Sequence, residues 1–246
     1  MEPKRRGSQK HLLDLLDDPA YEQVLEGLLH ASGVTTRRGE DRRPRGNSDA
    51  KESTLRAFIR KSCAGVAFDF SKFDAWWVSD KYRNPQWDLL STCRIDGESG
   101  LLMVEAKAHE TEVATNGKSL GTDASDQSKE NHDHIGRCID EINRDLSQQL
   151  GSAAISRDTH YQLSNRVACA WKLAQCGLPV ALLYLGFTGD TYFSDPLAHD
   201  EHWRRVMTTY MKGVLPAAFH ERIHAVPNGA SMRMLIRSLP VTSVSI

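Results

Sequence analysis

Apolar residues recur along this chain with two periods, and each period marks a different kind of element. Tyr21, Val24, Leu25, Leu28 and Leu29 fall at i, i+3, i+4, i+7 and i+8, the spacing of one helical face. Asp18 supplies a cap, Pro19 suits the first helical position, and Ser32-Gly33 ends the run. Glu22 lies at the border of that apolar face, with Glu26 one turn on and closer to the polar side. Residues 55–63 read as a second, shorter helix, and the aromatic-rich stretch 66–78 has no clean period and is compatible with a strand. Residues 87–95 are rich in β-formers, Asp96-Gly-Glu-Ser-Gly100 is turn chemistry, and 101–106 is apolar again, which predicts an antiparallel hairpin. Ile135, Ile139, Ile142, Leu146 and Leu150 form a helical stripe; Leu163, Val167, Ala170, Trp171 and Ala174 form another, stopped by Gly177 and Pro179. The continuous apolar run 180–187 is too short for a helix and reads as a buried strand. A helix over 202–215 and a short strand over 232–236 close the chain, and no internal repeat is visible. The expectation is an α/β protein with a central mixed β-sheet flanked by helices and interrupted by polar insertions. One domain covers residues 1–246, with its core in 18–33 and 66–187 and a helix-and-strand extension over 200–240.

Composition narrows the class without naming a function. With 246 residues, 40% apolar and 26% charged, the chain is long enough for a sizeable core and is neither collagen-like nor mainly disordered. Its longest apolar run, 179–187, is too short to cross a bilayer, and the first six residues carry no apolar signal stretch. A soluble, cytoplasmic protein without a membrane partner is expected. Five cysteines without a C-x-x-C suggest reduced, packed thiols rather than disulfides or a zinc knuckle. His109, His132 and His134 likewise lack a zinc-ligand spacing. Formal net charge is −1, so no global basic field announces nucleic acid. The distribution is uneven: residues 37–45 carry five Arg against two acids, and residues 109–134 carry six acids against two Lys. Both read as flexible, solvated loops that proteases should nick first.

The chemistry concentrates on the hairpin. Asp88 sits on its first arm and Glu105-Ala106-Lys107 ends the second, so strand alternation sends Glu105 and Lys107 to one face and Ala106 to the other. Two carboxylates beside a lysine suit metal-assisted phosphodiester chemistry: hard oxygen ligands hold Mg²⁺, and the ammonium stabilises developing charge. The tripeptide alone means little, since Glu2-Pro-Lys4 and Asp49-Ala-Lys51 match it in polar contexts. Only the third copy ends an apolar strand that follows an Asp-bearing strand across a glycine turn. If the hairpin boundaries are shifted, Asp69, Asp74 or Asp80 become alternatives for the first carboxylate.

In Asp88, Glu105 and Lys107, and in the order of elements around them, the chain resembles the PD-(D/E)xK nuclease superfamily of restriction endonucleases, recombination exonucleases and junction resolvases. The helix Tyr21-Glu-Gln-Val-Leu-Glu-Gly-Leu-Leu-His-Ala-Ser-Gly33 looks like the opening helix of the Mrr-like and resolvase-like branches, where a glutamate near the start completes the metal site; here that position is Glu22. The resemblance covers about half the chain and departs from the pattern at Trp87, where the signature has proline. It implies a restriction-endonuclease-like core and a Mg²⁺- (or Mn²⁺-) dependent nuclease acting on DNA, in bacterial defence or restriction. Glu22, Asp88, Glu105 and the carbonyl of Ala106 would hold the metal, and Lys107 would activate the attacking water. Relatives often place a polar residue on the helix before the last core strand, which marks Gln162 and Arg166 as substrate-binding candidates. For Gln162 a capping box with Thr159 is the competing role, and Arg166 suits a phosphate contact. Cleavage of both strands of a duplex by a one-site subunit would favour a homodimer. Two rivals stand beside this reading: a nuclease-fold protein that binds nucleic acid or a protein without cutting, and an α/β scaffold whose hairpin carboxylates form an ordinary surface pair.

Overall fold

Among the described residues seven strands form one mixed sheet: β1 (Val34–Thr35), β2 (Arg42–Arg43), β3 (Leu89–Ile95), β4 (Glu98–Lys107), β5 (Val180–Thr188), β6 (Ile223–Ala225) and β7 (Ser231–Pro240). The computed structural model describes residues 6–37, 39–76, 86–227 and 229–241. Strand order is β1-β3-β4-β5-β7-β6, with β2 paired to the other half of β3. The β3–β4 hairpin is antiparallel, with Leu89 opposite Val104 and Ile95 opposite Glu98. β4, β5 and β7 run parallel, which sets Glu105 beside Tyr184 and Lys107 beside Gly186. The helices are α1 (Gly7–Asp17), α2 (Tyr21–Leu29), α3 (Leu55–Ser62), α4 (Phe70–Trp76), α5 (Asp126–Leu150), α6 (Tyr161–Gln175) and α7 (Asp200–Met211). The α/β class with a central mixed sheet flanked by helices is therefore the architecture of this chain.

Alternation along the central strands divides the core in two. Leu101, Met103, Leu182, Tyr184 and Met234 pack under α3, α4, α5, α6 and α7. Leu102, Val104, Ala106, Leu183 and Leu185 pack under α1 and α2. Strands covered on both faces need apolar residues at nearly every position, which is why 180–187 shows no period of two. Among the described residues no helix is long and apolar enough to cross a membrane. All five cysteines are buried and unpaired with one another.

Several elements differ from expectation for identifiable reasons. The hairpin turns on Asp96-Gly97 alone, both at positive φ (51° and 88°), so β4 already starts at Glu98. Asp-Gly tolerates this pair of left-handed conformations, and the tight turn matches strand twist better than a five-residue loop. Helix α1, absent from the sequence reading, buries Leu12, Leu13, Leu15 and Leu16 against the sheet. Pairs of leucines flanked by polar residues only make sense as a face once the sheet is beneath them. The stretch 66–78 contributes α4, not a strand, within its described part.

The two charged segments are also more ordered than their composition implies. Arg42 and Arg43 pair with Ser91 and Leu90 as strand β2. In the acidic segment, Glu112 accepts the Ala108 N–H at 2.6 Å and the Ser8 hydroxyl at 2.8 Å, and α5 begins at Asp126 with Ser125 capping the N–H of Ser128 at 3.2 Å. Backbone and cap hydrogen bonds there replace the apolar burial that the segment lacks. Limited proteolysis is accordingly expected to cut first within the exposed residues 119–123, and not in 126–134, which form the first turns of α5. First cuts within α5 would contradict this placement.

One glycine matters for the site's neighbour strand. A Cβ on Gly186 would come within 2.7 Å of the Trp203 ring on α7. Gly186→Ala is expected to destabilise the fold by about 1–3 kcal/mol in urea denaturation, because the close α7–β5 contact must open.

Candidate functional site

Five side chains meet where β3 begins and β4 ends. Glu105 and Lys107 are two apart on β4 and so share a face; both are buried, Glu105 with 2% of its surface exposed. Their face looks at α6, where Gln162 and Arg166 lie one turn apart. Lys107 Nζ donates to Glu105 Oε1 at 2.7 Å and to Gln162 Oε1 at 3.0 Å, while Gln162 Nε2 donates to the same Glu105 oxygen at 2.7 Å. Arg166 Nε donates to Glu105 Oε2 at 2.6 Å, and its Nη2 reaches the Gln86 carbonyl at 2.8 Å. The Arg166 guanidinium also stacks over Trp87 at 4.3 Å. Asp88 precedes β3, and its Oδ2 accepts the backbone N–H of Ala106 at 2.7 Å. The Ala106 side chain points the other way, into the core beneath α1.

The two carboxylates are held in opposite electrostatic states. Burial works to raise Glu105, but Arg166 and Lys107 outweigh it and hold the carboxyl below its ordinary range. Burial and the neighbouring Glu105 push Asp88 up to about 7, against the lowering pull of the Ala106 N–H, Lys107 and Arg166. Arg166 loses by burial and gains more from Glu105, so it stays firmly cationic. The cluster thus pairs one fully neutralised carboxylate with a second that is under electrostatic pressure.

The structure gathers Asp88, Glu105, Lys107, Gln162, Arg166 and the backbone of Ala106. It does not add Glu22. Helix α2 packs on α1 and β1, and it leads into Gly33, whose carbonyl accepts the Asp96 N–H at the turn end of the hairpin, the opposite end of β4 from Glu105. The capping box at Thr159 is likewise not formed: α6 starts at Tyr161 behind His160, and Gln162 turns to Glu105 and Lys107 instead. Of the alternative first carboxylates, Asp69 accepts from Ser71 and the Lys72 N–H, Asp74 pairs with Arg56 and Arg60, and Asp80 lies outside the described residues.

One acid near the site carries no sequence signal. Glu52 lines the same small cavity as Asp88, together with Gln9, Leu12 and Leu13 of α1 and Pro44 and Ala50. At about 10 Å³ the cavity has room for about one water molecule. Burial raises the Glu52 carboxyl above its ordinary range, Arg166 draws it down and Glu105 pushes it up, so it lies within electrostatic reach of both. Residues 47–53 are polar apart from Ala50 and show no period, and nothing local separates Glu52 from its neighbours.

Among the described residues no group of three or more His, Cys, Asp and Glu side chains is drawn together tightly enough to hold a metal ion. The donors that do converge are hard oxygens, the type Mg²⁺ and Mn²⁺ take. Asp88 Oδ1 accepts no hydrogen bond among the described residues and is the available donor. Both Glu105 oxygens already receive hydrogen bonds, so sharing either with a cation means loosening Lys107, Gln162 or Arg166.

Fold and cluster together define a mixed α/β protein with a buried, charge-compensated glutamate and a partly buried aspartate at the end of its central hairpin. Residues 71–200 match the family described as Domain of unknown function (DUF6946), and the chain belongs to that family. The matched span holds all five clustered side chains and excludes Glu22, Glu52 and α1. No curated protein and no solved structure matches the chain.

Proposed function

We propose that this protein is a metal-dependent nuclease that hydrolyses DNA phosphodiester bonds at the Asp88–Glu105–Lys107 cluster. The observation that carries the reading is the meeting of two carboxylates, a lysine and an arginine at one strand end, with Asp88 pushed up to about 7 by burial and by Glu105. A structural ion pair needs one carboxylate for its cations; a second acid placed against the first at an energetic cost points to a function. Asp88 and Glu105, with the Ala106 carbonyl, are the groups that would hold Mg²⁺ or Mn²⁺. When bound, the ion would polarise a phosphodiester and supply a nucleophilic water at neutral pH. Lys107 would stabilise negative charge developing on the phosphoryl oxygens. Gln162 orients the Lys107 ammonium through its 3.0 Å hydrogen bond, and Arg166 fixes Glu105 from the other side. Glu52, and not Glu22, is the further acid positioned to feel this cluster.

A second reading has its own support. Glu105 is saturated by Lys107, Gln162 and Arg166, and the cavity beside Asp88 is roofed by α1, which suits a nuclease-fold protein that binds without cutting. Purified protein incubated with single- and double-stranded DNA and RNA, with Mg²⁺, Mn²⁺ or chelator, separates the two. Divalent-dependent cleavage that disappears in Asp88→Asn supports the nuclease; binding without cleavage under every condition supports the second reading.

A further inference from the structure

Beside the site, between the segment carrying β2 and helix α3, runs a cleft of about 430 Å³. Five of its lining residues are cations and three are acids. Arg43 is taken up by Asp49 in an ion pair, and Arg42 stacks on Tyr21 at 4.5 Å. Arg45, Lys51 and Lys61 are exposed, and their side chains make no hydrogen bond or ion pair among the described residues. Three cations of one sign without partners repel one another, and a polyanion relieves that repulsion. Glu52 lines both this cleft and the cavity of Asp88, so the cleft adjoins the catalytic candidates. The cavity of Asp88 is itself too small for a phosphodiester, whereas the adjoining cleft has room for one.

Resting on the nuclease reading for its functional sense, we infer that this cleft takes a single nucleic-acid strand, its phosphates on Arg45, Lys51 and Lys61, and leads the chain past Glu52 toward Asp88. The size of the basic surface selects one strand over a duplex. Duplex binders spread many phosphate contacts over an extended positive field, whereas this chain has a net charge of −1 and places three unpaired cations together in a cleft of small-ligand size. Phe58, the sole aromatic residue of the lining, is buried. No ring is presented for base stacking, so recognition goes through the backbone and is independent of sequence.

The test is fluorescence anisotropy of the full chain with labelled oligothymidylate, with a mixed-sequence single strand and with the matching duplex, in chelator so that nothing is cut. Single strands should bind alike and more tightly than the duplex, and log K should fall with log salt at a slope of about −2, as three phosphate contacts require. The triple variant Arg45→Ala, Lys51→Ala, Lys61→Ala should weaken binding at least tenfold and flatten that slope, with an unchanged melting temperature because the three side chains are exposed. Charge reversal by Lys51→Glu with Lys61→Glu should weaken it further. Binding unchanged in both variants, or tighter binding of duplex, overturns the inference. Cleft-dependent binding by a protein that never cleaves leaves the inference standing and removes the nuclease reading, so the two failures are distinguishable.

Discussion

Glu105→Gln is expected to lose about 3–5 kcal/mol of folding stability, the largest effect of any conservative substitution at the site. Its two oxygens receive hydrogen bonds from Lys107, Gln162 and Arg166, and the amide presents N–H groups where one set of donors now points. Lys107 and Arg166 would then be cations with little water and only the more distant Asp88 as counter-charge. Most of the loss is that unpaired burial and not the net worth of the ion pairs, which a well-packed apolar replacement of the whole cluster could match. Urea denaturation at neutral pH measures it, with Glu98→Gln on the exposed start of the same strand as a control that should move by less than about 0.5 kcal/mol. Because the Glu105 carboxyl is held below its ordinary value, its stabilisation is present at neutral pH and is lost as pH falls from the ordinary glutamate range through the lowered folded value. Equal losses in Glu105→Gln and the control would mean that water reaches Lys107 and Arg166 freely.

Asp88→Asn and Lys107→Ala are each expected to lower kcat for DNA cleavage by at least about 10²–10³-fold, the scale on which removal of a transition-state charge partner is felt. Their effects on metal binding should differ. In wild type, Mg²⁺ or Mn²⁺ should raise the melting temperature increasingly with concentration above Kd. Asp88→Asn should remove most of that rise, since a charged donor is gone. Lys107→Ala should keep it, or enlarge it, since a competing cation is gone. In chelator the sign for Asp88 itself is reversed. Its folded value of about 7 lies above the ordinary aspartate value, so the folded state holds its proton more tightly, and stability falls as pH rises from about 4 to 7. Asp88→Asn should therefore raise the metal-free melting temperature at pH 8 by about 2–4 °C, roughly 1 kcal/mol for a chain of this size. Cleavage unchanged in both purified variants would sink the assignment.

Sequence by itself determined the elements whose signal is local. The β-former-rich and apolar arms around Asp96-Gly97, the stripe from Ile135 to Leu146 and the apolar run of β5 each carry their own secondary structure, because β propensity, helical periodicity and turn chemistry act over a few residues. The same locality put Glu105 and Lys107 on one face of β4 and Asp88 on the arm beside it. Marking Gln162 and Arg166 drew on the resemblance as well as on helical spacing, and the structure sets both against Glu105. What only the tertiary structure decided is which separate elements approach the pair. Helix α1, whose leucines acquire a face only against the sheet, packs on β4 and β5, while α2 packs on α1 and β1, and no hydrogen bond or ion pair among the described residues joins Glu22 to the cluster. Glu52 comes to the site through a polar segment with no periodicity, held by β2 pairing and by the packing of α3. The acidic segment after Lys107 becomes an ordered connection because caps, and backbone hydrogen bonds to distant residues such as Glu110 N–H to Asp195 and Lys118 N–H to Arg157, which no composition reveals, offset the entropy of fixing it.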